Sequence, residues 1–217
     1  MESVSRKQRI NRSSVLLLIV LSLLLSGSAS GRGKIRIGAT AGFNFAGISD
    51  EEESSDYMTG FRGGAIVDFG LGRFFSIVPE ALFSQRGWQY IGVGEEKGIT
   101  QTATLNYLEI PVNFTGKFKL RGETKITTFT GFYFAHAFSG KLKQEEEGVG
   151  KTTQKIPLGD GKEDVSPLDM GLNLGFGLEL KHVFFRLQFI FGVMNISNDY
   201  FHKVNTNALS MNIGYFF

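Results

Sequence analysis

Residues 168–181 read Leu-Asp-Met-Gly-Leu-Asn-Leu-Gly-Phe-Gly-Leu-Glu-Leu-Lys, an unbroken alternation of apolar with polar or glycine positions. Successive side chains of a β-strand point to opposite faces, so Leu168, Met170, Leu172, Leu174, Phe176, Leu178 and Leu180 form one apolar face. Asp169, Gly171, Asn173, Gly175, Gly177, Glu179 and Lys181 form the other. A helix would scatter these two sets around its circumference.

Outward from this stretch the same period recurs, predicting strands at 34–45, 59–69, 74–86, 104–118, 125–139, 168–181, 183–194 and 207–217. In the seventh, Val183, Phe185, Leu187, Phe189, Phe191 and Val193 oppose Arg186, Gln188 and Gly192, with apolar Phe184, Ile190 and Met194 on the polar side. The fifth is the most mixed, because Phe129 and Tyr133 fall on one face and Phe132 and Phe134 on the other. Connections alternate between short ones at 70–73, 119–124 and 181–182 and long ones at 46–58, 87–103, 140–167 and 195–206. All long loops therefore leave one end. The expected fold is all-β, an eight-stranded antiparallel up-and-down transmembrane barrel with short periplasmic turns and long outer loops.

A soluble lipocalin-like ligand-binding barrel shares the period but reverses the faces. Arg36, Arg62, Asp68, Glu80, Arg86, Glu109, Asn113, Asn173, Glu179, Arg186 and Gln188 stand mid-strand among glycines, a composition that suits a narrow, crowded lumen. Aromatic residues gather at both strand ends: Phe43, Phe45, Tyr57, Trp88, Tyr90, Tyr107, Tyr200 and Phe201 near the long loops, and Phe69, Phe74, Phe75, Phe118, Tyr215 and Phe217 near the short turns. Two aromatic belts are expected of membrane interfaces.

The N-terminus adds a basic stretch with Arg6, Lys7, Arg9 and Arg12, an eleven-residue apolar run at 15–25, and small residues at 26–30. That order predicts a cleaved signal peptide over 1–30, cut near 29–31, ahead of a barrel domain at 31–217. The run is too short for a membrane helix, which needs about 20 residues. The chain has no cysteine, which excludes disulfides, thiolate metal sites and a lipidated N-terminal cysteine. Of the 23 basic and 21 acidic residues, the leader holds four and one, leaving 19 against 20; no basic surplus points to nucleic acid.

Two segments carry a family resemblance. Pro79-Glu80-Ala81-Leu82-Phe83-Ser84-Gln85-Arg86-Gly87 and Leu105-Asn106-Tyr107-Leu108-Glu109-Ile110-Pro111-Val112 resemble the PorT-like outer-membrane β-barrel family of Gram-negative bacteria, over roughly 34–217 and including the terminal Tyr215-Phe216-Phe217. The resemblance implies an integral barrel in the outer membrane, lipid and lipopolysaccharide around it, and recognition of the terminal aromatic by the barrel-assembly machinery. Most members have no assigned activity and a few are linked to protein secretion.

Candidate chemistry is sparse. Glu80 and Glu109 on neighbouring strands could form a carboxylate pair for acid and base work. Pairing of these glutamates with Arg62, Arg86 or Arg186 explains them better, since lumen charges demand compensation. His136 with Ser139, or His202 with Asp199, are fragments of a rim hydrolase site acting on lipid or peptide, each lacking a full nucleophile, base and orienting group. His182 falls in a short turn. Gly70-Leu71-Gly72 and Gly92-Val93-Gly94 lack the strand-to-helix context of a phosphate loop. Asn113-Phe114-Thr115 and Asn195-Ile196-Ser197 match the short glycosylation pattern. No catalytic, cofactor-binding or metal-ligating residue is therefore assigned, and no enzymatic activity or cofactor is expected.

An eight-stranded barrel is just filled by its side chains, which disfavours even a narrow small-solute channel. The long loops carry 14 acidic residues against 7 basic, with Asp50, Glu51, Glu52, Glu53 and Asp56, then Glu95 and Glu96, then Glu145, Glu146 and Glu147. A solvated surface accounts for such runs; divalent cations bridging them to lipopolysaccharide phosphates or a protein partner are the functional alternative. The expected role is envelope structure, surface recognition or a secretion-associated task carried by those loops.

Overall fold

The structure is a computed structural model that describes residues 34–217 apart from 50–56, 93–97, 121, 147, 149, 160, 162–163 and 197–204. The expected signal peptide, Glu147, His202, Asp199, Tyr200, Phe201 and the acidic clusters of the first two long loops lie outside the described residues. No helix among the described residues is long and apolar enough to cross a membrane.

Among the described residues nine strands form: β1 Ile35–Ser49, β2 Met58–Gly70, β3 Phe75–Ile91, β4 Ile99–Lys119, β5 Thr124–Glu146, β6 Gly150–Lys155, β7 Leu168–Leu180, β8 Val183–Gly192 and β9 Asn205–Phe216. Each pairs antiparallel with its neighbours, β1 pairs with both β2 and β9, and β5 pairs with both β4 and β7. Eight strands thus close a ring. The ninth, β6, lies outside it, folded against the far end of β5 from Lys141↔Lys155 to Glu146↔Gly150.

This hairpin corrects the expectation of an irregular loop over 140–167, and β3 and β4 likewise extend beyond the predicted 86 and 104. Gly150-Lys151-Thr152-Thr153-Gln154-Lys155 is exposed at every position. With water on both faces it needs no apolar alternation, so no period marks it. Gly148 and Gly150 adopt φ of 84° and 133° at its turn, which favours glycine.

The faces are inverted relative to a soluble protein. On β7 the apolar Leu168, Met170, Leu172, Leu174 and Phe176 are 39–56% exposed, whereas Asp169 and Asn173 on the alternate face are 2% and 1% exposed. Apolar side chains are exposed in the same way on the other ring strands. A contiguous apolar exterior of that size is stable in hydrocarbon and not in water. The soluble-barrel alternative fails on this point.

Glycine on the neighbouring strand lets inward aromatics lie flat over their cross-strand partners. A Cβ at Gly175 would sit 2.4 Å from the Phe129 ring, and one at Gly214 would sit 2.1 Å from the Phe184 ring. Phe129 and Tyr133 thereby turn inward on β5 while Phe132 and Phe134 face outward.

Two members of the expected outer aromatic belt are displaced. Tyr107 is fully buried, and Trp88 packs against an interior apolar cluster. Their strand parity places them with Glu109 and Arg86 on the lumen side, which overrides their nearness to the long loops.

Candidate functional site: the charged lumen

The lumen holds three tiers of charge. At the short-turn end, Arg36 of β1 donates from Nη1 and Nη2 to the two Glu179 oxygens at 2.7 and 2.8 Å, and from Nε to Asp68 Oδ2 at 3.0 Å. Lys117 pairs with Asp68, and Lys125 Nζ donates to Glu179 Oε1 at 2.6 Å. The Arg36 guanidinium lies 4.1 Å over the Phe216 ring, which packs on Phe184.

In the middle tier Arg186 donates to Glu80 Oε1 at 2.7 Å, Asn113 adds a donor at 3.2 Å, and Asn173 follows onto Asn113 at 3.4 Å. Phe184 and Phe129 lie under the Arg186 guanidinium at 4.7 and 5.4 Å. Guanidinium groups stack on rings because the ring face is electron-rich.

The outer tier is fully enclosed. Arg62 Nη2 donates to Glu109 Oε1 at 2.8 Å while its Nη1 donates to Gln188 Oε1 at 2.9 Å. Arg86 lies between the Tyr107 and Tyr133 rings at 4.7 and 4.8 Å and pairs with Glu109 at 3.3 Å and Asp169 at 3.2 Å. Asp169 also accepts from Tyr133 Oη at 3.1 Å and Thr206 Oγ1 at 2.8 Å. Above this tier, Leu105, Ile190, Ile196 and Ala208 join Trp88, Ile156, Leu158 and Val165 in an apolar cap. Backbone bonds from Ser166 N to Ile196 O and from Ala137 N to Pro167 O hold the segment after β6 across the mouth.

The expected compensation of Glu80 by Arg186 and of Glu109 by Arg62 and Arg86 is present. Each of these carboxylates is engaged by at least one guanidinium group. Removing one partner of a buried pair strands the other charge, at a cost of about 3–5 kcal/mol. Asp169, on the polar face of its strand, joins the lumen charges, as do Lys117 and Lys125. Lys117 shares parity with Glu109 and Asn113, and Lys125 with Phe129 and Tyr133, so strand parity locates both lysines.

His136 and Ser139 do not assemble into a site among the described residues. His136 faces outward from β5, while Ser139 accepts from Asn106 Nδ2 at 2.8 Å. His182 stands in the β7–β8 turn, its Nδ1 3.0 Å from the Phe216 carbonyl and its ring stacked on Tyr215. His202 and Asp199 lie outside the described residues. No cluster of three metal-ligating side chains occurs among the described residues. Asn113 of the first glycosylation pattern is fully buried in the lumen.

On the exterior, the outer limit of the apolar belt is drawn by side chains on four strands. Phe61, Phe83 and Phe138 form a row with centroids 6.3 and 6.1 Å apart. Gln85, Asn106 and Ser139 run beside it as a polar chain, with Gln85 Nε2 donating to Asn106 Oδ1 at 2.9 Å.

The sequence matches the family described as outer membrane protein beta-barrel domain over residues 26–198. No curated protein matches it. Among solved structures it is similar to Ail, the attachment invasion locus protein of Yersinia pestis, in complex with the heparin analogue sucrose octasulfate, at 10% identity over 85% of this chain and 99% of that one, TM-score 0.45. Neisserial surface protein A is similar at 12% identity over 85% and 99%, TM-score 0.44. The N-terminal barrel domain of Pseudomonas aeruginosa OprF is similar at 10% identity over 86% and 100%, TM-score 0.34.

Proposed function

The chain belongs to the outer membrane protein beta-barrel domain family, and from that premise we propose that it is a closed, non-enzymatic outer-membrane protein whose outer loops and hairpin carry recognition. The observation that carries this reading is the outer tier: Arg62, Glu109, Arg86 and Asp169 are 0–2% exposed and cross-link β2, β4, β3 and β7 beneath an apolar cap. A lumen closed in this way conducts no solute, and the charges that fill it are engaged with one another.

The PorT-like resemblance fits the same reading. Its two motifs are the paired strands β3 and β4, whose inward residues Arg86, Tyr107 and Glu109 build the outer tier and Glu80 the middle one. The motifs then specify a stable barrel and leave the task to the loops, where a lipid, a protein partner or a secretion component binds. The barrel-assembly machinery acts on the terminal strand during insertion, and the leader delivers the chain to the periplasm.

Planar-bilayer recording of the purified protein tests the closed lumen. Silence at voltages where an open barrel gives steady steps supports it; a reproducible ohmic conductance makes the channel reading correct. Hydrolase assays on lipid and peptide substrates with His136→Ala test the other alternative, which predicts activity lost in the variant.

A further inference from the structure

The loops are acidic in sum, yet the described hairpin presents a basic face. Lys141, Lys143 and Glu145 of β5 share one face with Lys155, Thr153 and Lys151 of β6, opposite one another in that order. Glu145 bridges Lys143 at 3.1 Å and Lys151 at 2.9 Å, and these bonds hold its carboxyl below the usual range. Lys141 and Lys155 stand directly opposite each other with no ion pair among the described residues.

Like charges facing across strands destabilise a hairpin. Lysines on an edge strand discourage pairing with another chain, which would explain those on β6. Lys141 and Lys143 lie on β5, which is paired on both sides, so edge protection does not explain them.

Their height does. The apolar belt on the outward face of β5 runs from Ile126 to Phe138. At about 3.4 Å per residue and a tilt of about 40°, that is about 30 Å, the depth of the hydrocarbon core. Lys141 is three residues past Phe138, on the order of 8 Å higher, in the headgroup layer. Gly140 faces inward, where a Cβ would meet Leu105 and Ile156, so Lys141 takes the outward side.

We propose that Lys141 and Lys155, supported by Lys143 and Lys151, form a direct binding site for the phosphate groups of an outer-leaflet glycolipid. The anion stands between the two opposed ammonium groups and relieves their repulsion. The site needs no bridging divalent cation.

Native mass spectrometry of the full barrel in dodecyl maltoside micelles, with bisphosphorylated or dephosphorylated lipid A added, tests this. The wild type should retain the phosphorylated form on the order of tenfold more tightly, with EDTA present. Lys141→Gln with Lys155→Gln should abolish most of that preference, Lys141→Arg with Lys155→Arg should keep it, and Lys34→Gln with Lys119→Gln at the opposite end should leave it unchanged. Equal retention of the two lipids by the wild type, or a preference surviving in the glutamine pair, would overturn the proposal. The site rests on the proposed reading only for the outward orientation of the long loops. A barrel that conducts yet keeps the phosphate preference would remove the closed lumen and leave this site intact.

Discussion

The two ends of the lumen carry similar chemistry in different solvents. At the outer end Arg62, Arg86, Glu109 and Asp169 are withdrawn from water under the apolar cap formed by Trp88, Ile156, Leu158 and Val165. At the short-turn end Arg36 and Lys117 remain 14% exposed and Lys125 32% exposed around Asp68 and Glu179. An ion pair that water can reach loses little when one partner goes, because solvent takes over the stranded charge. One that water cannot reach loses heavily. The outer tier therefore acts as the lock, and the inner tier as a collar whose cations reach solvent.

The largest test of that difference is Arg86→Ala, which leaves Asp169 without its cation and the Tyr107 and Tyr133 rings without their filling. It should lower stability by about 3–5 kcal/mol, read from the urea midpoint of unfolding in detergent. Glu179→Gln in the collar should cost less, about 1–2 kcal/mol in the same titration, since Arg36 keeps Asp68 and water is near. Equal losses at the two ends would erase the distinction. Lys125→Gln, at the most exposed cation of the lumen, should cost no more than about 0.5 kcal/mol. Smallest of all, raising salt from roughly 0.05 to 0.5 M should reduce the Glu179→Gln cost by a few tenths of a kcal/mol and leave the Arg86→Ala cost unchanged, as screening reaches only charges in contact with solvent.

What could be read from the chain follows the same division between solvents. β7 was legible because lipid on one side and a packed lumen on the other impose opposite compositions at alternate positions. β6 was illegible because both of its faces meet water, and nothing then selects a period. Tyr107 and Trp88 were assigned to the belt by their nearness to long loops, although Tyr107 shares the parity of Glu109 and Trp88 that of Arg86. The pairing of Glu80 and Glu109 with arginine followed from the physics of buried charge. Which arginine serves which glutamate depends on strand tilt around the ring, and a single sequence does not encode it in any local pattern. The basic face of the hairpin was hidden by the acidic sum, because register and not composition brings Lys141 opposite Lys155.

The inversion of faces is tested most directly by two neighbouring positions in a chain that has no cysteine of its own. Leu172→Cys and Asn173→Cys, each labelled while unfolded with a small environment-sensitive fluorophore and refolded into bilayers containing brominated acyl chains, report on opposite sides of β7. The structure predicts strong quenching at 172, which is 56% exposed, and none at 173, which is 1% exposed. Quenching at 173 with a water-exposed signal at 172 would contradict the barrel described above.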